Sequence, residues 1–383
     1  MRYYLIAGEA SGDMHGANLM KGILKADPQA EFRFWGGDKM AEVGGAENLG
    51  RHYKTTSFFG LAEVAANLRT IFRQMKECKR DVMAYAPDVL ILIDYPGFNF
   101  RIAKYAHDNG IRTYYYISPK VWAWNESRVK RIRRDVDRLF IIFPFETEYF
   151  RKKGIETVFE GNPLVDILEE EKRRMPSREE FFAQNSIPDD KPVVALLAGS
   201  RKSELKYNLP FMVDLARLNP EYTFVVGGVR WLDRSLYDNI IGDGPVKYIC
   251  DMTYPLVRYA DAAVVTSGTA TLETALLGTP EVVCYSKDKL SMNIGKHLVK
   301  VPFISLVNLV MGREVVRELI QWDMTLPNAQ EELHAIMPSG AKRDAMLADF
   351  EELRRVIGGP GASERFGAKM VELLRRDTGG GRR

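Results

Sequence analysis

Short apolar runs recur along the chain, each ended by small or polar residues and followed by a stretch with helical spacing. In the first half they are Tyr3–Ala7, Phe32–Trp35, Val89–Ile93, Thr113–Ile117 and Leu139–Phe143. In the second half they are Pro192–Ala198, Tyr222–Val226, Tyr248–Cys250, Ala262–Val265 and Val282–Tyr285. Runs of this length read as strands. Val89–Ile93 is VLILI, apolar at every position, as suits a central parallel strand covered on both faces. The alternation predicts an α/β chain of two doubly wound, Rossmann-like domains facing each other across a cleft. Glu169–Pro188 changes to a charged, helical composition and reads as the connection. The expected organisation is a first domain over 1–168, a linker over 169–190, a second domain over 191–340 and a helical segment over 341–383. The architecture leaves the C-terminal helix free to cross back to the first domain.

Candidate chemistry sits in the turns after the strands. In Asp261–Pro280 a strand runs into Thr266-Ser267-Gly268-Thr269, and helix formers follow until Gly278 and Pro280 stop them. The first N–H groups of such a helix lack internal partners and carry the positive end of its dipole, which suits phosphate. Glu273, expected in the first helical turn, is placed to accept from both hydroxyls of a ribose. Together these spell a nucleotide, although an ordinary strand–helix unit with a polar turn has the same outline. Gly199-Ser200-Arg201 offers a guanidinium beside small residues, able to grip phosphate in bidentate fashion. Asp94 leaves the carboxyl end of the VLILI strand before Tyr95-Pro96-Gly97-Phe98-Asn99, where open α/β sheets hold ligands. It is a candidate general base, with capping of the next helix as the plainer role. Gly8, Gly12 and Gly16 imply close backbone approach around Ser11 and Asp13, but their spacing is not that of a dinucleotide fingerprint. An apolar stretch, Val301–Met311, contains Asn308 and opens onto Gly312-Arg313-Glu314; helix capping accounts for Glu314 nearly as well as a site does.

A net charge of +3 on 383 residues gives no ground for a nucleic-acid binder. The aromatic and basic stretch Trp122–Arg134 is short and helical in period, and reads as a solvated helix face or a phosphate contact. Cys78, Cys250 and Cys284 show no pairing pattern, in keeping with a reducing cytoplasm and without a structural metal site. No leader-like segment precedes the first strand, and no apolar run approaches the roughly 20 residues needed to span a bilayer. Two basic amphipathic stretches stand out. Thr56–Arg80 carries Phe58, Phe59 and Leu61 ahead of Arg69 and Arg73, and Ser286–Lys300 mixes lysines with Leu290, Met292 and Ile294. Either can lie on an anionic membrane surface or simply pack on a sheet.

Taken in order, these motifs resemble the lipid-A-disaccharide synthase family, glycosyltransferases of the two-Rossmann-domain (GT-B) class. The resemblance runs nearly end to end. It is carried by Gly8-Glu9-Ala10-Ser11-Gly12-Asp13, Ile93-Asp94-Tyr95-Pro96-Gly97-Phe98-Asn99, Ser118-Pro119-Lys120-Val121-Trp122-Ala123-Trp124, Gly199-Ser200-Arg201, Ser267-Gly268-Thr269-Ala270 with Glu273, and Asn308 before Gly312-Arg313-Glu314. Three positions depart from the family pattern: Ala198 where Pro is common, Asn162 where His is frequent, and Lys120 where a small residue is usual. The resemblance implies condensation of UDP-2,3-diacylglucosamine with 2,3-diacylglucosamine 1-phosphate (lipid X) to the β-1,6-linked disaccharide, releasing UDP. It implies Asp94 as base and Arg201 with the Ser267–Thr269 amides on the leaving UDP. It further implies Glu273 on the ribose, Asn308 and Glu314 at the donor site, and no metal or cofactor. Its lipid substrates imply a peripheral enzyme on the cytoplasmic face of the bacterial inner membrane, with a homodimer left open. The nearest alternative is a UDP-GlcNAc 2-epimerase-like enzyme, which shares the Ser-Gly…Glu donor site but needs no acyl pocket. A nucleic-acid-binding module built on Trp122–Arg134 is the alternative from another class.

Overall fold

The computed structural model describes residues 1–55, 68–124, 126–287 and 301–379. Within it the chain forms two compact units. The first comprises Met1–Asp166 and Gly358–Arg383, the second Ile167–Ile357.

The first unit is built on seven parallel strands in the order β3-β2-β1-β4-β5-β6-β7. They are β1 (Arg2–Ala7), β2 (Glu31–Gly36), β3 (Leu49–His52), β4 (Val89–Ile93), β5 (Thr113–Tyr116), β6 (Arg138–Ile141) and β7 (Thr157–Phe159). Alternation along β1 and β4 feeds two cores. Tyr3, Leu5, Ala7, Ile91 and Ile93 pack on one face with Leu19, Met20 and Ile23 of the helix Ala10–Ala26. Tyr4, Ile6, Leu90 and Leu92 pack on the other with Met75, Cys78 and Val82 of the helix Leu68–Tyr85 and Phe98, Phe100 and Ile102 of the helix Pro96–Asp108. Each such side chain contributes about 1.5–3 kcal/mol by leaving water, which is why β4 is apolar throughout.

The second unit has six parallel strands in the order β10-β9-β8-β11-β12-β13. They are β8 (Val193–Leu197), β9 (Thr223–Gly228), β10 (Val246–Cys250), β11 (Ala262–Thr266), β12 (Glu281–Tyr285) and β13 (Glu318–Ile320). β8 and β11, paired at the centre, are buried at every position.

Several details differ from the sequence reading. The helix after β1 begins at Ala10, so Gly8 precedes it while Gly12 and Gly16 lie inside it. There they let it press on the sheet: a Cβ on Gly12 would stand 3.3 Å from that of Ala7. β3 and β13 escape the apolar pattern because β3 buries no residue fully and β13 is only three residues long. Residues 169–190 are not an independent linker. The helix Arg178–Gln184 buries Phe181 and Phe182, Phe181 meets the Tyr259 ring, and Tyr259 Oη donates to the Pro176 carbonyl at 2.6 Å. The helix Arg343–Val356 likewise belongs to the second unit, and only the residues from Gly358 onward return to the first.

The returning helix, Ala362–Gly379, lies against Ala10–Ala26 on the first unit's sheet and buries Phe366, Met370 and Leu374 there. The crossing is tight enough that a Cβ on Gly367 would approach the Gly22 backbone to 2.4 Å. Asp166 fastens the start of the helix, accepting from the N–H groups of Gly361 at 2.5 Å and Ser363 at 2.7 Å.

Candidate active site

Strand order decides where each sheet can hold a ligand. In the first unit the chain winds outward in opposite directions from β1 and β4, and in the second from β8 and β11. Neighbouring loops diverge at such a switch point and leave a crevice at the carboxyl ends of the strands. The turns singled out from sequence leave these four strands: Gly8–Asp13 after β1, Asp94–Gly97 after β4, Gly199–Arg201 after β8 and Ser267–Thr269 after β11.

At the first switch point Asp94 and Tyr95 both adopt left-handed backbone, with φ of +42° and +48°. The following helix starts at Pro96 with Tyr95 at its N-cap and no side-chain cap, so Asp94 does not cap it. Burial raises the Asp94 carboxyl to about 6, and the nearby Glu9 charge pushes the same way. Lys120 pulls it down. Glu9 was given no role of its own from sequence; it is the N-cap residue of the helix Ala10–Ala26. Lys120 is exposed on the turn after β5. That turn is anchored by the Trp122 indole, which donates to buried Glu146 at 3.0 Å. Burial moves the Glu146 carboxyl up to about 7, against the pull of its donors.

The other expected residues of this region are mostly structural ties. Asp13 is buried and accepts from the N–H groups of Gly37, Lys39 and Met40 at 2.7, 3.0 and 3.1 Å, closing the start of the helix Asp38–Gly44. Ser11 is exposed beside it. Asn99 is fully buried and donates its amide to the carbonyls of Ile93 and Asp94 at 3.2 and 2.8 Å. Asn162 donates to the Ile142 carbonyl and accepts from the Leu164 N–H, so it serves the local turn.

At the second switch point the helix Thr269–Leu277 has Gly268 at its N-cap, with no side-chain hydrogen bond there. Gly268 and Thr269 are exposed, and a Cβ on Gly268 would meet nothing within 4 Å. The backbone at the start of this helix is therefore accessible at Gly268 and Thr269. Ser267 turns its hydroxyl away to the Ile304 carbonyl at 2.8 Å. Glu273 lies beyond the first turn expected for it, because the helix starts at Thr269. Tyr254, missed from sequence, donates to its carboxylate at 3.1 Å, and burial raises its pKa.

Across the switch point Gly199 has φ +105°, and a Cβ there would strike Glu204 at 2.5 Å. Glu204 accepts from the N–H groups of Ser200 and Arg201 at 2.9 and 3.2 Å and pairs with the guanidinium at 3.0 Å. The Arg201 side chain is nevertheless 73% exposed, so it remains available to an anion.

Asn308 is fully buried and donates to the Val316 carbonyl and Glu318. It accepts from the Val315 and Val316 N–H groups at 2.7 and 3.0 Å. Both amide hydrogens and both oxygen lone pairs are thereby used. Its carboxamide shapes the loop that exposes Gly312–Glu314 instead of projecting into it. Glu314 is exposed and reaches Arg317 at 3.5 Å. Of the proposed membrane residues, Phe58, Phe59 and Leu61 lie outside the described residues. Arg69 is exposed near the start of Leu68–Tyr85, followed by Phe72, which is 65% exposed, and by exposed Arg73 and Lys76. No helix among the described residues is long and apolar enough to cross a membrane.

Comparison with known proteins agrees with this arrangement. In structure, the chain is similar to a putative UDP-N-acetylglucosamine 2-epimerase from Listeria monocytogenes, with a TM-score of 0.65 at 12% identity over 98% of this chain and 97% of that one. It is also similar to a UGT transferase from Siraitia grosvenorii in complex with UDP, with a TM-score of 0.62 at 12% identity over 97% and 99%. These likenesses establish the fold of two Rossmann-like domains. In sequence, it is 40% identical over 379 residues to a lipid-A-disaccharide synthase of Syntrophus aciditrophicus, covering 97% of each chain. It is 36% identical over 381 residues to one of Geobacter metallireducens, again covering 97% of each. The lipid-A-disaccharide synthetase family model matches residues 3–358. With a match of that extent, the chain belongs to the lipid-A-disaccharide synthase family of glycosyltransferases.

Proposed function

We propose that this chain condenses UDP-2,3-diacylglucosamine with lipid X, forming the lipid A disaccharide 1-phosphate and UDP, and that its two switch points divide the work. In the second unit the amides at Gly268–Ala270 and the exposed Arg201 guanidinium receive the diphosphate. Glu273, backed by Tyr254, accepts from the ribose hydroxyls. As the bond to the anomeric carbon breaks, negative charge grows on the leaving UDP. Donors fixed beforehand stabilise that charge without reorganising. In the first unit Asp94 takes the proton from the acceptor hydroxyl as its oxygen attacks the opposite face of the sugar. A carboxyl raised to about 6 is largely ionised at pH 7 and still basic enough to accept a proton. Such a base contributes roughly 100- to 10,000-fold. Asn99, Asp13 and Asn308 hold the loops in place.

The observation that carries this reading is that the family's motifs leave the four strands flanking the two switch points. The epimerase reading is not favoured: its support is a likeness of fold at 12–14% identity, against a family match along nearly the whole sequence. The test is to supply UDP-diacylglucosamine and lipid X in detergent with excess EDTA. UDP and a disaccharide phosphate are expected. Folded protein that binds UDP but yields no disaccharide overturns the assignment.

The acyl chains keep both substrates in a membrane, at about 0.8 kcal/mol per buried CH₂. The basic, aromatic region around Phe58, Phe59, Leu61 and Arg69 is proposed as the surface that meets an anionic leaflet. Lys and Arg near such a leaflet add about 1 kcal/mol each. Binding to anionic vesicles at low salt, weakened by serine at Phe58 and Phe59, is the expected result. Indifference to vesicles rules the surface out.

A further inference from the structure

Two consecutive residues without a glycine, Asp94 and Tyr95, hold left-handed backbone. Such a pair persists only where its surroundings over-determine it. Here four contacts do so. The Asp94 N–H donates to the Tyr116 carbonyl at 3.0 Å, continuing the ladder between β4 and β5. The Tyr95 ring stacks on Phe98 with centroids 5.7 Å apart, in space left by Gly8, whose Cβ would overlap that ring at 2.2 Å. The Asp94 carbonyl accepts two hydrogen bonds, from the Asn99 amide at 2.8 Å and from the Tyr115 hydroxyl at 2.6 Å. Both donors are fully buried.

Tyr115 reaches this carbonyl from the neighbouring strand, so its bond links the catalytic loop to the sheet. Asn99 reaches it from within the following helix, so its bond moves with the loop. Burial and the Asp94 charge keep the Tyr115 phenol protonated and hence a constant donor. We infer that Tyr115 is a positioning residue for Asp94: through the Asp94 carbonyl it fixes the backbone that aims the carboxyl, and so sets the rate of proton removal and not the affinity for either substrate. The inference rests on the reading of Asp94 as the general base. Displacing a reacting group by about 1 Å costs on the order of 100-fold in rate, and the loss of one of two holding bonds should approach that figure.

The experiment is a double-mutant cycle on the full-length protein, with Tyr115→Phe, Asp94→Asn and the pair, measuring kcat and both KM values. Circular dichroism and thermal unfolding check each variant. Tyr115→Phe should lower kcat roughly 10- to 100-fold and leave each KM within about twofold. Its acid limb should also move below that of the parent, as the loosened carboxyl gains water. In the Asp94→Asn background the same change should alter kcat less than about twofold, since residues acting as a unit are not additive. An equal loss in both backgrounds, or no loss in the parent, overturns the inference. Asp94→Asn alone at the parental rate would instead overturn the reading of Asp94. If Phe at 115 leaves the chain unfolded, Tyr115→Met, which also removes the donor while filling the site, carries the same cycle and the same outcomes.

Discussion

Asp94→Asn should make the protein slower and more stable at once. Folding moves this carboxyl into a poorly solvated place beside Glu9, and its pKa climbs from 3.8 to about 6. A carboxyl raised on folding is best tolerated protonated. Its contribution is therefore intact below pH 3.8, is lost as pH rises to about 6, and stays lost above. Between those two values the cost at pH 7 is about 3 kcal/mol. Asparagine has nearly the same shape and no charge to strand, so the variant should gain about 3 kcal/mol at pH 7. At pH 4 the parent carboxyl is largely neutral in the folded state, and the gain should shrink to below about 1 kcal/mol. Activity should meanwhile fall roughly 100- to 10,000-fold. Urea unfolding of parent and variant at the two pH values, followed by far-UV circular dichroism, measures the first effect; release of UDP measures the second. A variant no more stable than the parent at pH 7, or one whose advantage persists undiminished at pH 4, would refute the reasoning. Either result would mean that the carboxylate is well solvated or paired.

Glu281 opens β12 fully buried, and neither carboxyl oxygen has a hydrogen-bond partner among the described residues. Burial raises its pKa well above 4.5, so the parent should lose stability as pH rises past that value. Glu281→Gln should recover about 1–3 kcal/mol at pH 7 and flatten the stability profile between pH 5 and 8. Glu273→Gln should weaken UDP binding by roughly 10- to 100-fold, as expected for losing a charge-assisted bond. By calorimetry it should also abolish any preference for UDP over its 2′-deoxy analogue. Arg201→Ala, at a side chain 73% exposed, should change stability by less than about 0.5 kcal/mol while lowering kcat strongly. Wild-type turnover from that variant would remove Arg201 from the diphosphate site.

The strands that bury every residue announced themselves, because a segment covered on both faces must be apolar throughout; β4, β8 and β11 are of this kind. β3 and β13 did not, since edge strands of three or four residues need bury little. Gly8, Gly12 and Gly16 were legible as a close backbone approach, but the helix start at Ala10 was not, because glycine weakens helical composition while serving close packing. Among the candidate site residues, Asp94, Arg201 and Ser267–Thr269 were legible as polar residues in turns after apolar strands. Tyr115 and Tyr254 were not, nor was the approach of Glu9 and Lys120 to Asp94, since each reaches its target from another element.

The sequence by itself determined the two α/β halves, the strands at their centres and the polar turns that are candidates for chemistry, because burial period and turn composition are local properties. Tertiary structure alone decided strand order, and with it which turns share a switch point. It decided that Asp13 and Asn308 spend their hydrogen bonds on the protein, while Arg201 and the backbone at Gly268 and Thr269 stay accessible. It also decided that the last helix returns to the first unit. These outcomes depend on atoms far apart in the chain competing for the same donors, acceptors and space. No local pattern records that competition; only the packed chain resolves it.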